Sequence, residues 1–322
     1  MVLKTFLKEE EKMTNEKEEI LEKLEDEEIT IFEVGYKLRE DPEFVLAATK
    51  LSSSNFQMIS PKLRSDENFM KKIVEIDGRL IGHATSELRD NEELVEIAVK
   101  NSGYALQYVS SRLRNDPKIV EEAVRKDGCA LHYARKGLKD NDKIVKTAIK
   151  QNGTAIQYAS DRLKQDEEMA KIAVKRDGVA LGYLDEKLKK NKEIVLLAVK
   201  KCGSAITYAD TKLKSDIEVV TQAAIQNEDI LYWSIGKEIK DNPELMNQIR
   251  ETVKREREAK NRQIQEIDSQ VTPEQRKMAL SEIAKMRKLM IKSNDKKIQM
   301  DKTENFETKP INEFLDKDEE ER

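Results

Sequence analysis

Apolar residues recur through the central part of the chain in a pattern that repeats every 25 residues. In residues 103–127, Ala105, Leu106, Val109 and Leu113 follow helical spacing. After a polar break, Ile119, Val120, Ala123 and Val124 form a second apolar stripe at i, i+1, i+4 and i+5. The pattern predicts two short helices per unit. Asp116, in the break, offers a side-chain oxygen to the free amides of the second helix, and Pro117 suits its first turn. Gly128 is expected to close that helix in the left-handed conformation, with Arg125 and Lys126 favouring its negative end.

Three registers carry the period. Glycine falls at 78, 103, 128, 153, 178 and 203. Leucine falls at 38, 63, 88, 113, 138, 163, 188 and 213. Three residues after each leucine comes Asp41, Asp66, Asn91, Asp116, Asn141, Asp166, Asn191 or Asp216. Residues 28–52 and 53–77 keep the last two registers, with Glu28 and Ser53 in place of glycine. At the far end, Ile230-Leu231-Tyr232-Trp233 takes the first-helix slot, and one inserted residue moves the cap to Asn242-Pro243. The reading is about nine copies over residues 28–252, the outer ones degenerate.

A two-helix unit buries its faces only against neighbouring copies, so the expected fold is all-α, an α-solenoid of tandem 25-residue repeats. The strand motif of leucine-rich repeats is absent, and a second helix rich in Ala, Glu and Lys argues against a β-solenoid. The segments Gly103-Tyr-Ala-Leu-Gln-Tyr-Val, Gly128-Cys-Ala-Leu-His-Tyr-Ala and Gly153-Thr-Ala-Ile-Gln-Tyr-Ala resemble the repeats of the family called domain of unknown function 4116. That resemblance implies the repeat fold and implies no activity.

Composition changes the picture in one direction. Of the 322 residues, 38% are charged and 5% aromatic, and the mean hydropathy is -0.73, values that suit a surface-rich helical array. No stretch reaches the roughly 18 apolar residues needed to span a bilayer. The start, Met1 to Glu11, turns acidic too soon for a signal peptide. Cys129 and Cys202 fall at different phases of the repeat, which suggests neither a disulfide ladder nor a metal site. The expectation is a cytoplasmic protein without cofactor or membrane partner.

The ends differ from the array. Residues 1–27 carry 5 Lys and 10 Asp or Glu and are read as an acidic helical cap. The array itself holds 37 basic and 37 acidic residues. Residues 253–292 are read as a charged helical hairpin, its second helix opened by Thr272-Pro273-Glu274-Gln275 and lined by Met278, Ile283, Met286, Leu289 and Met290. Residues 293–322 are read as a disordered acidic tail.

Two periodic surface features are candidates for binding a partner. The residues flanking the leucine are basic in most copies: Lys37 and Arg39, Lys62 and Arg64, Arg112 and Arg114, Arg162 and Lys164, Lys187 and Lys189, Lys212 and Lys214. Stacking aligns them into a ridge that meets an anionic partner or, alternatively, only solvates the turns and pairs with nearby acids. An aromatic ladder, Tyr108, Tyr133, Tyr158, Tyr183, Tyr208 and Trp233, either lines a groove or packs between copies. His83 and His132 have no third ligand in phase. Repeats present like groups, whereas catalytic sites need convergent unlike ones, so an enzyme is not expected. The expected function is a non-enzymatic scaffold for another macromolecule, foremost a protein, through the groove or the hairpin. Nucleic-acid binding on the basic ridge and a purely structural spacer are the alternatives. The sequence leaves the oligomeric state open.

Overall fold

The structure is a computed structural model that describes residues 15–57 and 59–270. The second helix of the expected hairpin and the tail from residue 293 lie outside the described residues. The array is all-helical and repeats in tandem, as the periodicity requires.

Each full copy contains one regular α-helix of ten residues, such as Pro117–Lys126, Asp142–Gln151 and Glu167–Arg176. In Pro117–Lys126 the buried residues are Ile119, Val120, Ala123 and Val124, the stripe read from the sequence. The cap register also holds throughout. Asp41, Asp66, Asn91, Asp116, Asn141, Asp166, Asn191 and Asp216 each accept a hydrogen bond from an amide of the first turn they precede. Asn242 does the same for the last helix, accepting from the amides of Glu244 and Leu245 at 3.1 Å.

The first helix of the copy takes a different form from the one expected. Gly103–Tyr108 is a six-residue 3-10 helix, and Val109 then turns extended at φ -79°, ψ 164°. A separate single turn, Leu113–Asn115, follows. Breaking the helix at Val109 lets the Ser110 amide reach the carbonyl of Arg89 in the preceding copy, at 3.0 Å. Equivalent bonds run from Ser60 to Arg39, Thr85 to Arg64, Arg135 to Arg114, Ser160 to Lys139, Asp185 to Lys164 and Asp210 to Lys189. A continuous α-helix would keep that amide for itself. The break therefore gives the array a backbone ladder between copies.

The glycines also act differently. No described glycine has positive φ, and the α-helix ends instead on an extended residue such as Asp127 (φ -138°, ψ 104°). What requires glycine is close approach. A Cβ on Gly103 would overlap the carbonyl oxygen of Ala123, and one on Gly128, Gly153, Gly178 or Gly203 would overlap that of Ala148, Ala173, Ala198 or Ala223. These alanines are fully buried. The 3-10 helix thus enters against the backbone of the α-helix that follows it, and only a residue without a side chain fits.

Stacking proceeds copy on copy. Each α-helix packs on the next α-helix and each 3-10 helix on the next 3-10 helix, with one continuous apolar core between the two layers. At the start, residues 15–25 are helical, Leu24 joins the core, and Lys17 pairs with Asp41 at 2.5 Å. At the end, the helix Pro243–Gln270 runs unbroken through the boundary expected at residues 252 and 253. Met246, Ile249 and Val253 bury its first part. Arg257 then donates to the carbonyls of Ala224 (2.9 Å) and Ile225 (3.2 Å), satisfying the last turn of Ile217–Gln226. The first contact-defined unit of the chain ends at Lys260.

Candidate ligand-binding face

The ridge expected from the sequence separates into two columns with different chemistry. The residues before the leucine are exposed, and the two arginines among them are engaged by acids of the preceding copy. Arg112 binds Asp90 through Nε at 3.1 Å, its carbonyl oxygen through Nη2 at 2.8 Å, and Glu92 through Nη1 at 2.5 Å. Arg162 repeats the arrangement 50 residues on, with Asp140 at 2.9 Å, the Asp140 carbonyl at 2.7 Å, and Asp142. Ser110 and Ser160 donate to Asp90 and Asp140 in the same clips. These serine bonds first, and the arginines with them, hold both aspartates below the ordinary carboxylate range. Lys187 and Lys212 donate their backbone amides to Asp185 and Asp210 at the start of the same turns.

The residues after the leucine behave otherwise. Arg39, Arg64, Arg89, Arg114, Lys139, Lys164, Lys189 and Lys214 are all half-buried, one per copy, in a single column. Lys164 meets Asp161 at 3.9 Å and Lys189 meets Glu186 at 2.8 Å. Among the described residues, the other six form no ion pair. Among the described residues, the Arg64 side chain donates to the Gln57 carbonyl (3.0 Å) and that of Arg114 to Ser111 (3.3 Å), neither of them an acid. The Nε atoms of Arg39, Arg64, Arg89 and Arg114 are buried without any hydrogen-bond partner. Burial, then the charge of Lys164, lowers the Lys139 pKa; burial, then Arg135, lowers that of Arg114. The column is thus a row of partly desolvated like charges on an array whose basic and acidic residues balance in sum.

The ladder lies beside this column. From Arg64 to Lys189 each post-leucine carbonyl accepts from the amide two positions beyond the next ladder residue, as with Tyr133, Arg135 and Arg114, and Lys214 accepts from Gly236, three beyond Trp233. Arg64 is near enough to His83, which holds the ladder position in its copy, to add to the burial that lowers the His83 pKa. The rings lean on the preceding copy. The Tyr108 ring would lie 3.0 Å from a Cβ on Gly82, and Tyr208 equally close to one on Gly182. His132 stands 4.8 Å from Tyr158, centroid to centroid, and 5.0 Å from Tyr133. Tyr133 and Tyr158 are half-buried against the core, whereas Tyr108, Tyr183, Tyr208 and Trp233 are 37, 43, 45 and 56% exposed. Packing and an open ring face coexist along the ladder.

The sequence criterion of two basic flanks overlooked Arg89 and Lys139, because Glu87 and Gly137 precede their leucines. The post-leucine position alone is basic in eight of eight copies, and that signal finds them. Cys129 and Cys202 are free thiols. Among the described residues, no group of three His, Cys, Asp or Glu side chains could hold a metal, and no helix is long and apolar enough to cross a membrane.

A family model matches the array four times in tandem, at residues 30–89, 91–139, 141–189 and 191–248. The two inner matches run from an Asn cap to a post-leucine lysine, so each spans two 25-residue copies. No curated protein and no solved structure matches the chain. With most of its length covered by these four matches, the chain belongs to the family described as Domain of unknown function (DUF4116).

Proposed function

We propose that the protein is a non-enzymatic repeat scaffold that binds an anionic macromolecule along the turn face of the array. The observation that carries this reading is the post-leucine column, where Arg39, Arg64, Arg89, Arg114, Lys139 and Lys214 have no acidic partner among the described residues. Arg112 and Arg162, two positions before those of the column, are instead neutralised by acids of the preceding copy. A desolvated, unpaired cation is costly in the free protein, and an arriving anion relieves that cost at every copy it crosses. Like groups repeated at a fixed step suit an extended ligand and do not assemble the unlike groups of a catalytic site.

Retention on immobilised heparin, a generic polyanion, tests the reading. The variant Arg64→Gln/Arg89→Gln/Arg114→Gln/Lys139→Gln should elute at clearly lower salt than the wild type. Arg112→Gln/Arg162→Gln should elute with the wild type. Coincident elution of all three proteins would remove the column from the binding face. A protein partner is the second reading, favoured by the exposed neighbours Tyr232 and Trp233, 65 and 56% accessible, in the last copy.

A further inference from the structure

We propose that the ligand of this face is a single-stranded nucleic acid, laid along the array with its phosphates on the post-leucine cations and its bases against the ladder aromatics. The inference rests on the anionic-ligand reading above and narrows it to one class of polymer. The two features occur at the same period and are joined through the backbone: from Arg64 onward, each post-leucine carbonyl accepts from an amide just past the next copy's ladder position. A strand of nucleic acid has the same alternation, a charge and a flat ring in every unit, and helical repeats can take one base per copy.

Three observations select this polymer over other anions. Nε is buried in Arg39, Arg64, Arg89 and Arg114, Nη2 is engaged in Arg64 and Arg114, and the remaining guanidinium N–H donors suit phosphate oxygens. Tyr183, Tyr208 and Trp233 keep large exposed areas, and Tyr208 is braced against Gly182 of the preceding copy, which makes a platform of its open face. An acidic peptide could use the cations but would leave these rings idle. A duplex keeps its bases stacked inside, out of reach of the rings, and the neutral array lacks the broad basic surface that duplex binding uses.

The test is fluorescence anisotropy of the full chain with labelled oligouridylate and oligothymidylate of about ten nucleotides, against a duplex of equal length and a polyglutamate peptide. Six unpaired cations give a log–log salt slope of about -4, so affinity should fall about 300-fold between roughly 50 and 200 mM salt. Neutralising Arg64, Arg89, Arg114 and Lys139 should leave a fall of about 7-fold over the same range. Tyr183→Leu/Tyr208→Leu should weaken binding at least about tenfold while leaving the salt slope unchanged. The wild-type slope and the ligand comparison need no variant, so a poorly folding variant does not spare the proposal. Absence of single-strand binding, equal binding of polyglutamate or duplex, or a slope shallower than about -2 would overturn it. If heparin retention still depends on the column while single strands fail to bind, the ligand is another polyanion and only this inference falls.

Discussion

The α-helical face and the turn face of the array are stacked by the same step, yet their charges end differently. On the α-helical face, cations reach acids of the adjoining copy: Lys71 meets Glu93 at 2.9 Å, Lys143 meets Glu121 at 2.7 Å, and Lys146 meets Glu168 at 2.6 Å. Lys171 pairs with both Glu167 and Glu193, and Lys192 with Asp216 and Glu218. On the turn face, the post-leucine column places like charge over like charge, and among the described residues six of its eight members have no acid. A stacking repeat can satisfy a surface charge only if the complementary residue sits at the position facing it in the next copy. Where the same residue type recurs in register, repulsion accumulates instead. The contrast separates cations that the stacking supplies with an acid from cations that it leaves without one.

The largest expected effect concerns the joint between the two faces. Gly128→Ala should lower the unfolding free energy by about 3 kcal/mol or more, because the new Cβ meets the fixed Ala148 carbonyl rather than a yielding side chain. Gly137→Ala is the control: it lies in the short helix Lys136–Lys139 with nothing within 4 Å of its Cβ, and should be neutral or stabilising by up to about 1 kcal/mol. Urea denaturation of both variants measures the difference. Equal effects would mean that close packing does not set the glycine register. Next in size, Asp116→Ala removes the cap of Pro117–Lys126 and should cost about 1 kcal/mol in the same assay.

Smaller shifts should separate the two cation columns. Arg112→Gln and Arg162→Gln should lower the thermal midpoint slightly at low salt and not at high salt, since exposed pairs are screened. Arg114→Gln should instead raise it, by removing a half-buried charge that faces Arg135 and no acid. The same sign for both columns would erase the distinction drawn here. The smallest effect is on acid stability. Asp90 and Asp140 have folded pKa values below the ordinary carboxylate range, so their contribution is present above that range and lost as pH falls through the folded value. Asp140→Asn should flatten the acid limb of a stability–pH curve by lowering its neutral plateau towards the acid value.

Much of the fold could be read from the residues alone. The Asp and Asn caps and the buried stripe Ile119, Val120, Ala123 and Val124 sit where the period put them, because caps and amphipathic faces are local properties. The 3-10 form of Gly103–Tyr108 was not legible, since four apolar positions in a short segment fit either helix. Nor was the role of the glycines: the Ala123 carbonyl that excludes a side chain at Gly103 is 20 residues further along the chain. The candidate face was half legible. Basic residues around the leucine were visible in the sequence, but whether each finds an acid depends on side chains about 20 residues away. Arg112 reaches back to Asp90 and Glu92, while Arg114, two positions on, reaches neither.

The central claim is that six members of the post-leucine column lack an acid among the described residues, whereas lysines such as Lys71, Lys143, Lys146, Lys171 and Lys192 on the α-helical face have one. Site-resolved lysine titration by NMR tests it within one sample, through Lys139 on the first and Lys171 on the second. Burial and the neighbouring Lys164 should place Lys139 below the ordinary lysine value, while the hydrogen bonds to Glu167 and Glu193 should place Lys171 above it. A Lys139 that titrates at or above the ordinary value, alongside Lys171, would contradict the account.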